Sequence, residues 1–300
     1  MLIRSLLIAA MVSVSPAAAQ PAPADSAPAA TGSDIVVEAN RNRKAEIQNF
    51  VEALTPARAG EQLSRFTLPV CPAAYGLLDG QNDAIVARMK AVAGAAGIKV
   101  GGERCAPNAL LLVVRDKDGF VAALQRKFPY FFVDPLGAPV SLQNSGGATV
   151  AWHVNGLLDS DGIRAAVIEA PTGGRTYQLD NVIASRVRSS TQPDLMSGVI
   201  VVEVDALVGL TTTQIADYAA MRLYSQANPA RLTNFSRPTI LKAVDAPLNS
   251  AVPLTLTAWD LAFLKSLYAM NPQRFAASQR NEIAQQISRE LEAKRESEFR

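Results

Sequence analysis

Hydrophobic positions divide the chain into a first part in which strands and helices alternate and a second part rich in strands. Apolar side chains recur every third or fourth position over residues 79–96, the stripe of an amphipathic helix. Residues 110–114 are an unbroken apolar run, typical of a strand covered on both faces. A short helix is predicted at residues 119–128 and a strand at residues 66–70. Residues 35–132 are therefore predicted to form an α/β unit.

Beyond a proline- and glycine-rich loop at residues 129–147, the pattern indicates sequential strands. The turn sequences Asp159-Ser-Asp-Gly162 and Thr172-Gly-Gly174 separate short runs that lie between residues 149 and 204. Strands joined by such short turns favour antiparallel pairing. The strands are predicted at residues 149–155, 164–170, 175–189 and 199–204.

Three helices are predicted after the strands, at residues 211–224, residues 257–269 and from Asn271-Pro272 to about residue 298. The first opens with Thr211-Thr-Thr-Gln214, a capping box. Residues 148–300 are therefore predicted to be an antiparallel sheet with C-terminal helices, and the fold class of the whole chain is α+β.

The first 34 residues carry the signals of an export leader. Arg4, an apolar run at residues 6–14 and Ala17-Ala-Ala19 follow the order of a signal peptide, residues 1–19. The apolar run is shorter than the roughly 20 residues that span a bilayer, so no transmembrane span is expected after cleavage. Residues 20–34, rich in proline, alanine and serine, are predicted to be a flexible leader. The protein is expected to be bacterial, and either periplasmic or secreted.

Composition narrows the chemistry that the chain can perform. Of 300 residues, 49% are hydrophobic and 19% are charged, which allows a packed core. Lys and Arg total 29 against 27 Asp and Glu, and a net charge of +2 gives no broad electrostatic case for binding nucleic acid. One histidine and two cysteines exclude the larger zinc sites, so no metal and no cofactor are predicted.

The two cysteines, Cys71 and Cys105, are predicted to form a structural disulfide. In an exported chain, a pair of cysteines is more typical of a disulfide than of a metal site. The spacing is not that of a redox-active C-x-x-C motif. The bridge would staple the N-terminal α/β unit.

Three stretches between residues 149 and 268 resemble the zinc metallopeptidase-like (zincin) segment of some exported bacterial proteins. They are Gly198-Val-Ile-Val-Val-Glu203, then Gly209-Leu-Thr-Thr-Thr-Gln-Ile-Ala-Asp-Tyr218, then Leu256-Thr-Ala-Trp-Asp-Leu-Ala-Phe-Leu-Lys-Ser-Leu-Tyr268. Zincins carry H-E-x-x-H on the active-site helix, where two histidines bind zinc and the glutamate activates water. The helix here offers Gln214-Ile-Ala-Asp-Tyr218 instead. The resemblance therefore implies a non-catalytic relative.

The same resemblance predicts a peptide-binding groove. Gln214 and Tyr218, one helical turn apart, would face a groove beneath an edge strand at residues 175–189 or 199–204, where an extended peptide could pair. Arg186 and Arg188 lie on one face of a predicted strand and could bind an anion. The alternatives are a capping role for Gln214, a core position for Tyr218 and solvated charge for the two arginines.

His153 is the one candidate general base in the sequence. It lies in a predicted strand, and the aspartates nearest in sequence are Asp159, Asp161 and Asp180. The alternative is a hydrogen-bonded structural histidine. The leading hypothesis is an exported, non-catalytic binding or structural protein of the cell envelope, with an unidentified envelope protein or peptide as partner. The competing hypothesis is a hydrolase that uses His153 with a nearby aspartate.

Overall fold

The computed structural model describes residues 32–57, 61–144, 147–180, 182, 188–233 and 235–298, with the backbone alone at residues 32–40, 144 and 298. The predicted signal peptide, and the predicted leader up to residue 31, lie outside the described residues. The helices are α1 (Gly32–Leu54), α2 (Asp79–Ala95), α3 (Lys117–Lys127), α4 (Thr212–Tyr224), α5 (Ala258–Ala269) and α6 (Ala276–Glu298). The strands are β1 (Pro72–Tyr75), β2 (Ala109–Val114), β3 (Gln143–Asn144), β4 (Thr149–Asp159), β5 (Ala166–Glu169), β6 (Arg175–Gln178) and β7 (Thr191–Glu203).

A five-stranded mixed sheet with the strand order β1-β2-β7-β4-β3 forms the centre of the unit Arg41–Arg300. Strands β1, β2 and β7 run parallel, whereas β4 is antiparallel to both β7 and β3. Within β7, Gly198 lies opposite Ala109 of β2 on one side and His153 of β4 on the other. The segments predicted at residues 35–132 and 148–300 thus share one sheet. A separate antiparallel hairpin consists of β5 and β6.

Helices α2 and α4 cover one face of the sheet. Alternate residues of β2 and β7, among them Leu111, Ile200 and Val202, point to this face and are buried. They pack in the same core as Ile85 and Met89 of α2. The apolar stripe predicted for α2 therefore meets the sheet and α4.

Helix α3 and the 3-10 turn Pro129–Phe132 cover the opposite face. Phe132 stacks on Trp152 of β4 with 4.7 Å between the ring centroids, and both pack with Val199 and Val201 of β7. Because both faces of the sheet are covered, β2 and residues 199–202 of β7 are apolar at every position, as the unbroken run at residues 110–114 predicted.

The predicted disulfide between Cys71 and Cys105 is confirmed. Their sulfurs are bonded and their Cα atoms lie 6.0 Å apart. Cys71 immediately precedes β1, and its N–H donates to Asn108 Oδ1 at 2.7 Å, just before β2 begins. The bridge thus fastens the loop between α2 and β2 beside the first parallel strand pair. The α+β class of the chain is confirmed as well.

Several predicted elements differ from the structure. The strand predicted at residues 175–189 ends at Gln178, and the strand predicted at residues 199–204 begins at Thr191. Residues 66–70 form no strand: only the isolated bridges of Arg65 with Asp194 and of Val70 with Val100 are present, and Pro69 has no N–H to donate. The prediction that α6 begins at Asn271-Pro272 is wrong, since that helix begins at Ala276. Asn271 Oδ1 instead accepts from the Gln273 N–H at 2.9 Å, a local turn that precedes the helix.

Candidate functional site

Gln214 closes the capping box that the sequence predicts for α4. Thr211 Oγ1 accepts from the Gln214 N–H at 3.2 Å, and Gln214 Oε1 accepts from the Thr211 N–H at 2.9 Å. The side-chain amide of Gln214 also donates to the Pro253 carbonyl at 2.8 Å. Gln214 is buried, and it joins the start of α4 to the chain that leads into α5.

Tyr218 lies in the protein interior, with 1% of its surface exposed. Its hydroxyl accepts a hydrogen bond from Arg222 Nη1 at 2.8 Å and lies 3.3 Å from Thr149 Oγ1 of β4. Arg222 is itself fully buried and also donates to the Gln143 carbonyl at 3.4 Å. Tyr218 and Gln214 therefore both take part in buried hydrogen bonds between α4 and its neighbours.

Of the two arginines named with them, only Arg188 is among the described residues, and it lies outside this interior cluster. Arg188 is exposed and lies just before β7. Arg186 lies outside the described residues. Strand β7, which follows, pairs with β2 over Gly198–Glu203 and with β4 over Gly198–Val202. The strand predicted at residues 199–204 is therefore not at an edge of the sheet.

His153 lies in the core between β4 and α4, 5% exposed, with Nε2 3.2 Å from the Leu223 carbonyl oxygen. A Cβ atom on Gly198, opposite on β7, would lie 2.9 Å from the ring, so the missing side chain makes room for the imidazole. Burial lowers the pKa of His153 to about 4; the Leu223 carbonyl opposes this shift and the charge of Arg222 adds to it. In the described structure, no hydrogen bond or ion pair joins this histidine to a carboxylate.

Asp159, the first of the aspartates named with His153, accepts hydrogen bonds from the turn in which it lies. Its Oδ1 atom accepts from the backbone N–H groups of Asp161 and Ile163, each at 2.9 Å. This arrangement closes the turn that follows β4. Asp180 lies beyond β6, where its carboxylate accepts from Gln178 at 3.3 Å.

Asp217, also on α4, is a fully buried carboxylate that holds a distant loop. Arg88 of α2 binds both of its oxygens, at 2.7 and 3.0 Å. The Thr255 hydroxyl and the Leu256 N–H donate to Oδ2 at 2.7 and 2.8 Å. One carboxylate thereby fixes α2, α4 and the segment before α5 to one another.

Asp260 in the first turn of α5 has the same role for a second segment. It is fully buried and accepts from the Thr239 hydroxyl at 2.5 Å and from the Ile240 N–H at 3.0 Å. It also accepts from the N–H of Thr257 at 2.9 Å, which caps α5. Burial raises the pKa of Asp260, and these hydrogen bonds oppose that shift.

A cavity of about 710 Å³ that is open to the surface is lined by residues 229–253, in the chain between α4 and α5, and we call it the loop cavity. Four prolines and several small apolar side chains form most of its wall. Its lining comprises Pro229, Ala230, Leu232, Thr233, Ser236, Arg237, Pro238, Thr239, Lys242, Asp245, Ala246, Pro247, Ala251, Val252 and Pro253.

The loop cavity carries charge of both signs. Arg237 is half exposed and forms an ion pair with Glu46 of α1 at 2.8 Å. Lys242 donates to the Phe235 carbonyl, which leaves its other two N–H groups for further contacts. Partial burial raises the pKa of Asp245, and the charge of Arg222 opposes that shift. The cavity therefore combines an apolar wall with two cations and one carboxyl group.

The pattern of hydrophobic positions does not predict this cavity, because most of its lining lies in a stretch without a helical or alternating pattern. The signals available were the four prolines at residues 229, 238, 247 and 253 and the charged residues between them. Prolines in a connecting segment indicate a rigid loop, and loops that a scaffold holds in place often carry binding residues.

Two further properties of the described residues bear on function. No cluster of three or more His, Cys, Asp or Glu side chains in them is arranged as a metal site would need. None of the helices that they form has the length and apolar character to cross a membrane. No known protein family, curated protein or solved structure matches the chain.

Proposed function

We propose that this protein is an exported, non-catalytic binding protein of the cell envelope and that the loop cavity holds its ligand. The observation that carries the proposal is that two buried side chains, Asp260 and Gln214, hydrogen-bond to residues of the cavity wall. Asp260 accepts from Thr239 and Gln214 donates to the Pro253 carbonyl, and both of these partners line the cavity; Asp217 holds Thr255 and Leu256, just beyond Pro253. A wall fixed before binding reduces the entropy that a ligand would otherwise lose in ordering it.

The dimensions and lining of the cavity favour a small amphipathic ligand. Ligand sites typically measure about 300–1,000 Å³, and the cavity falls within this range. The proline-rich wall suits an apolar body. Arg237 and Lys242 suit one anionic group, and Asp245 can accept a hydrogen bond from an amine or hydroxyl.

Two observations support the export and non-catalytic parts of the proposal. The Cys71–Cys105 disulfide is typical of an oxidising compartment, in agreement with the leader-like N-terminal sequence. The single histidine lies in the core with a backbone carbonyl as its partner, whereas a general base needs an open path to substrate. The zincin resemblance adds a hypothesis of ancestry. A relative that has lost the H-E-x-x-H motif from this helix would keep the scaffold and could still bind a ligand.

The proposal can be tested with 1-anilinonaphthalene-8-sulfonate, which has an apolar body and one sulfonate. We expect the folded protein to bind one dye per chain, with a rise in dye fluorescence. Ala251→Trp would fill part of the cavity and weaken binding at least tenfold, and Arg237→Gln should weaken it severalfold. The matched control is Ala91→Trp, at an exposed position on α2 away from the cavity. Equal binding by the wild type and Ala251→Trp would refute the assignment of the site.

A further inference from the structure

Three aromatic side chains are clustered on the surface where α3 ends. The ring centroids of Phe128, Tyr130 and Phe131 lie 4.6 to 6.2 Å apart. Tyr130 is 62% exposed and Phe131 is 40% exposed. Contiguous exposed apolar surface usually marks an interaction site. We call these three residues, with the preceding Arg126 and Lys127, the aromatic tip.

The backbone of the aromatic tip is held by the core beneath it. The residue that follows, Phe132, is buried and stacks on Trp152. The Trp152 indole N–H donates to the Phe131 carbonyl at 2.9 Å, and the Phe131 N–H donates to the Phe128 carbonyl at 3.1 Å. The rings of Tyr130 and Phe131 are therefore displayed outward by a fixed backbone.

The charge beside these rings is positive. Arg126 and Lys127 are both exposed, and Lys127 Nζ lies 5.4 Å from the centroid of the Phe128 ring. Asp118 lies at the other end of α3, and the Asp134 carboxylate accepts from amides of its own loop. Cations at a helix C-terminus also interact favourably with the helix dipole, but that effect does not account for exposed aromatic rings.

We propose that the aromatic tip docks on a lipid bilayer whose surface carries anionic headgroups. Aromatic rings are favoured at the level of the headgroups, and neighbouring cations are attracted to lipid phosphates. The tip has five residues, whereas specific protein interfaces use roughly 20–30 on each side. A net charge of +2 provides little general attraction to nucleic acid. This inference goes beyond the proposed ligand site and does not depend on it.

Co-sedimentation with vesicles tests the proposal. The full chain without its leader would be mixed with phosphatidylcholine vesicles, with or without 30 mol% phosphatidylglycerol. We expect binding to the anionic vesicles that weakens as salt is raised. Arg126→Gln with Lys127→Gln should weaken binding by about fivefold per cation removed and abolish the preference for phosphatidylglycerol.

Tyr130→Ser with Phe131→Ser should weaken binding at least tenfold on both kinds of vesicle. Both substitutions leave the Phe131 carbonyl in place for Trp152, so the tryptophan bands of the near-ultraviolet circular dichroism should stay unchanged. The matched control is Tyr75→Ser, at a tyrosine that is 53% exposed elsewhere on the molecule, and it should bind as the wild type does.

Three results would overturn the proposal. The first is failure of the wild type to sediment with anionic vesicles. The second is equal binding by the wild type and the doubly substituted tip. The third is a self-associating wild type that the tip substitutions convert to a monomer, since the tip would then be a contact between copies of the chain.

Discussion

At the scale of single residues, His153 shows how a titratable group can become a core side chain. The ring fills the space left by Gly198 and directs Nε2 to the Leu223 carbonyl. Burial disfavours the charged form of the imidazole, so the pKa falls from 6.5 to about 4. Since this is the one histidine of the chain, no other histidine titration changes the stability between pH 7 and pH 5.

We expect the free energy of unfolding to fall as the pH is lowered through this range. Below pH 6.5 the unfolded chain takes up a proton on His153, whereas the folded chain does so only near pH 4. Protonation therefore favours unfolding, by about 2 kcal/mol between pH 7 and pH 5. Urea titrations at the two pH values would measure the change. His153→Gln is the control, because it removes the titration; the same pH dependence in both proteins would contradict the assignment.

At the scale of elements, α4 is unusual in burying polar side chains that each bind a different neighbour. Gln214 binds the Pro253 carbonyl, Asp217 binds Arg88 and the Thr255–Leu256 segment, and Tyr218 lies against Thr149. Helix packing alone would fix α4 against the sheet and α2. These hydrogen bonds extend that order to a segment that has neither a helix nor a strand.

Asp217→Asn should loosen the segment that leads into α5. The substitution keeps the shape of the side chain but removes the charge that faces Arg88, and we expect it to destabilise the protein by about 3 kcal/mol. The Leu256 amide, which donates to Asp217 Oδ2 at 2.8 Å, should exchange its hydrogen faster. Hydrogen exchange resolved by residue would measure this. Asp83→Asn, at an exposed position on α2, is the control; unchanged exchange at Leu256 would show that Asp217 does not hold the segment.

At the scale of the whole molecule, the disulfide constrains a segment that contains α2. Its cysteines are 34 residues apart, and closing a loop of that length stabilises a fold by about 3–4 kcal/mol in the chain-entropy model. We expect no free thiol in the unfolded, unreduced protein and a drop of that size in unfolding free energy after reduction. A variant with Cys71→Ser and Cys105→Ser should not respond to reductant. Two titratable thiols before reduction would contradict the bridge.

Much of the fold could be predicted from local patterns. The stripe of α2, the apolar run of β2 and the capping box at Thr211 are confirmed because each depends on residues within a few positions of one another. The order of strands could not be read in this way. Placing β7 between β2 and β4 depends on contacts between residues far apart in sequence.

The candidate site could be predicted only in part. The cap formed by Gln214 follows from local spacing, and the burial of Tyr218 was one of the two alternatives that the sequence left open. The loop cavity was missed, because its wall is held by the hydrogen bonds of Asp260 with Thr239 and of Gln214 with Pro253, which join residues 21 and 39 positions apart. Nothing in the periodicity of α4 or α5 indicates which loop residues these side chains bind.

The central position of β7 has a consequence for the order in which the protein can assemble during synthesis. Strand β2 ends at Val114, but the strand that covers its second edge begins pairing only at Gly198. At a synthesis rate of roughly 5–20 residues per second, the edge of β2 stays without β7 for several seconds. Until β7 arrives, any sheet that β1 and β2 form has an open edge, which can pair with other chains. The nascent chain is therefore most exposed to aggregation in this interval, when a chaperone would protect it most.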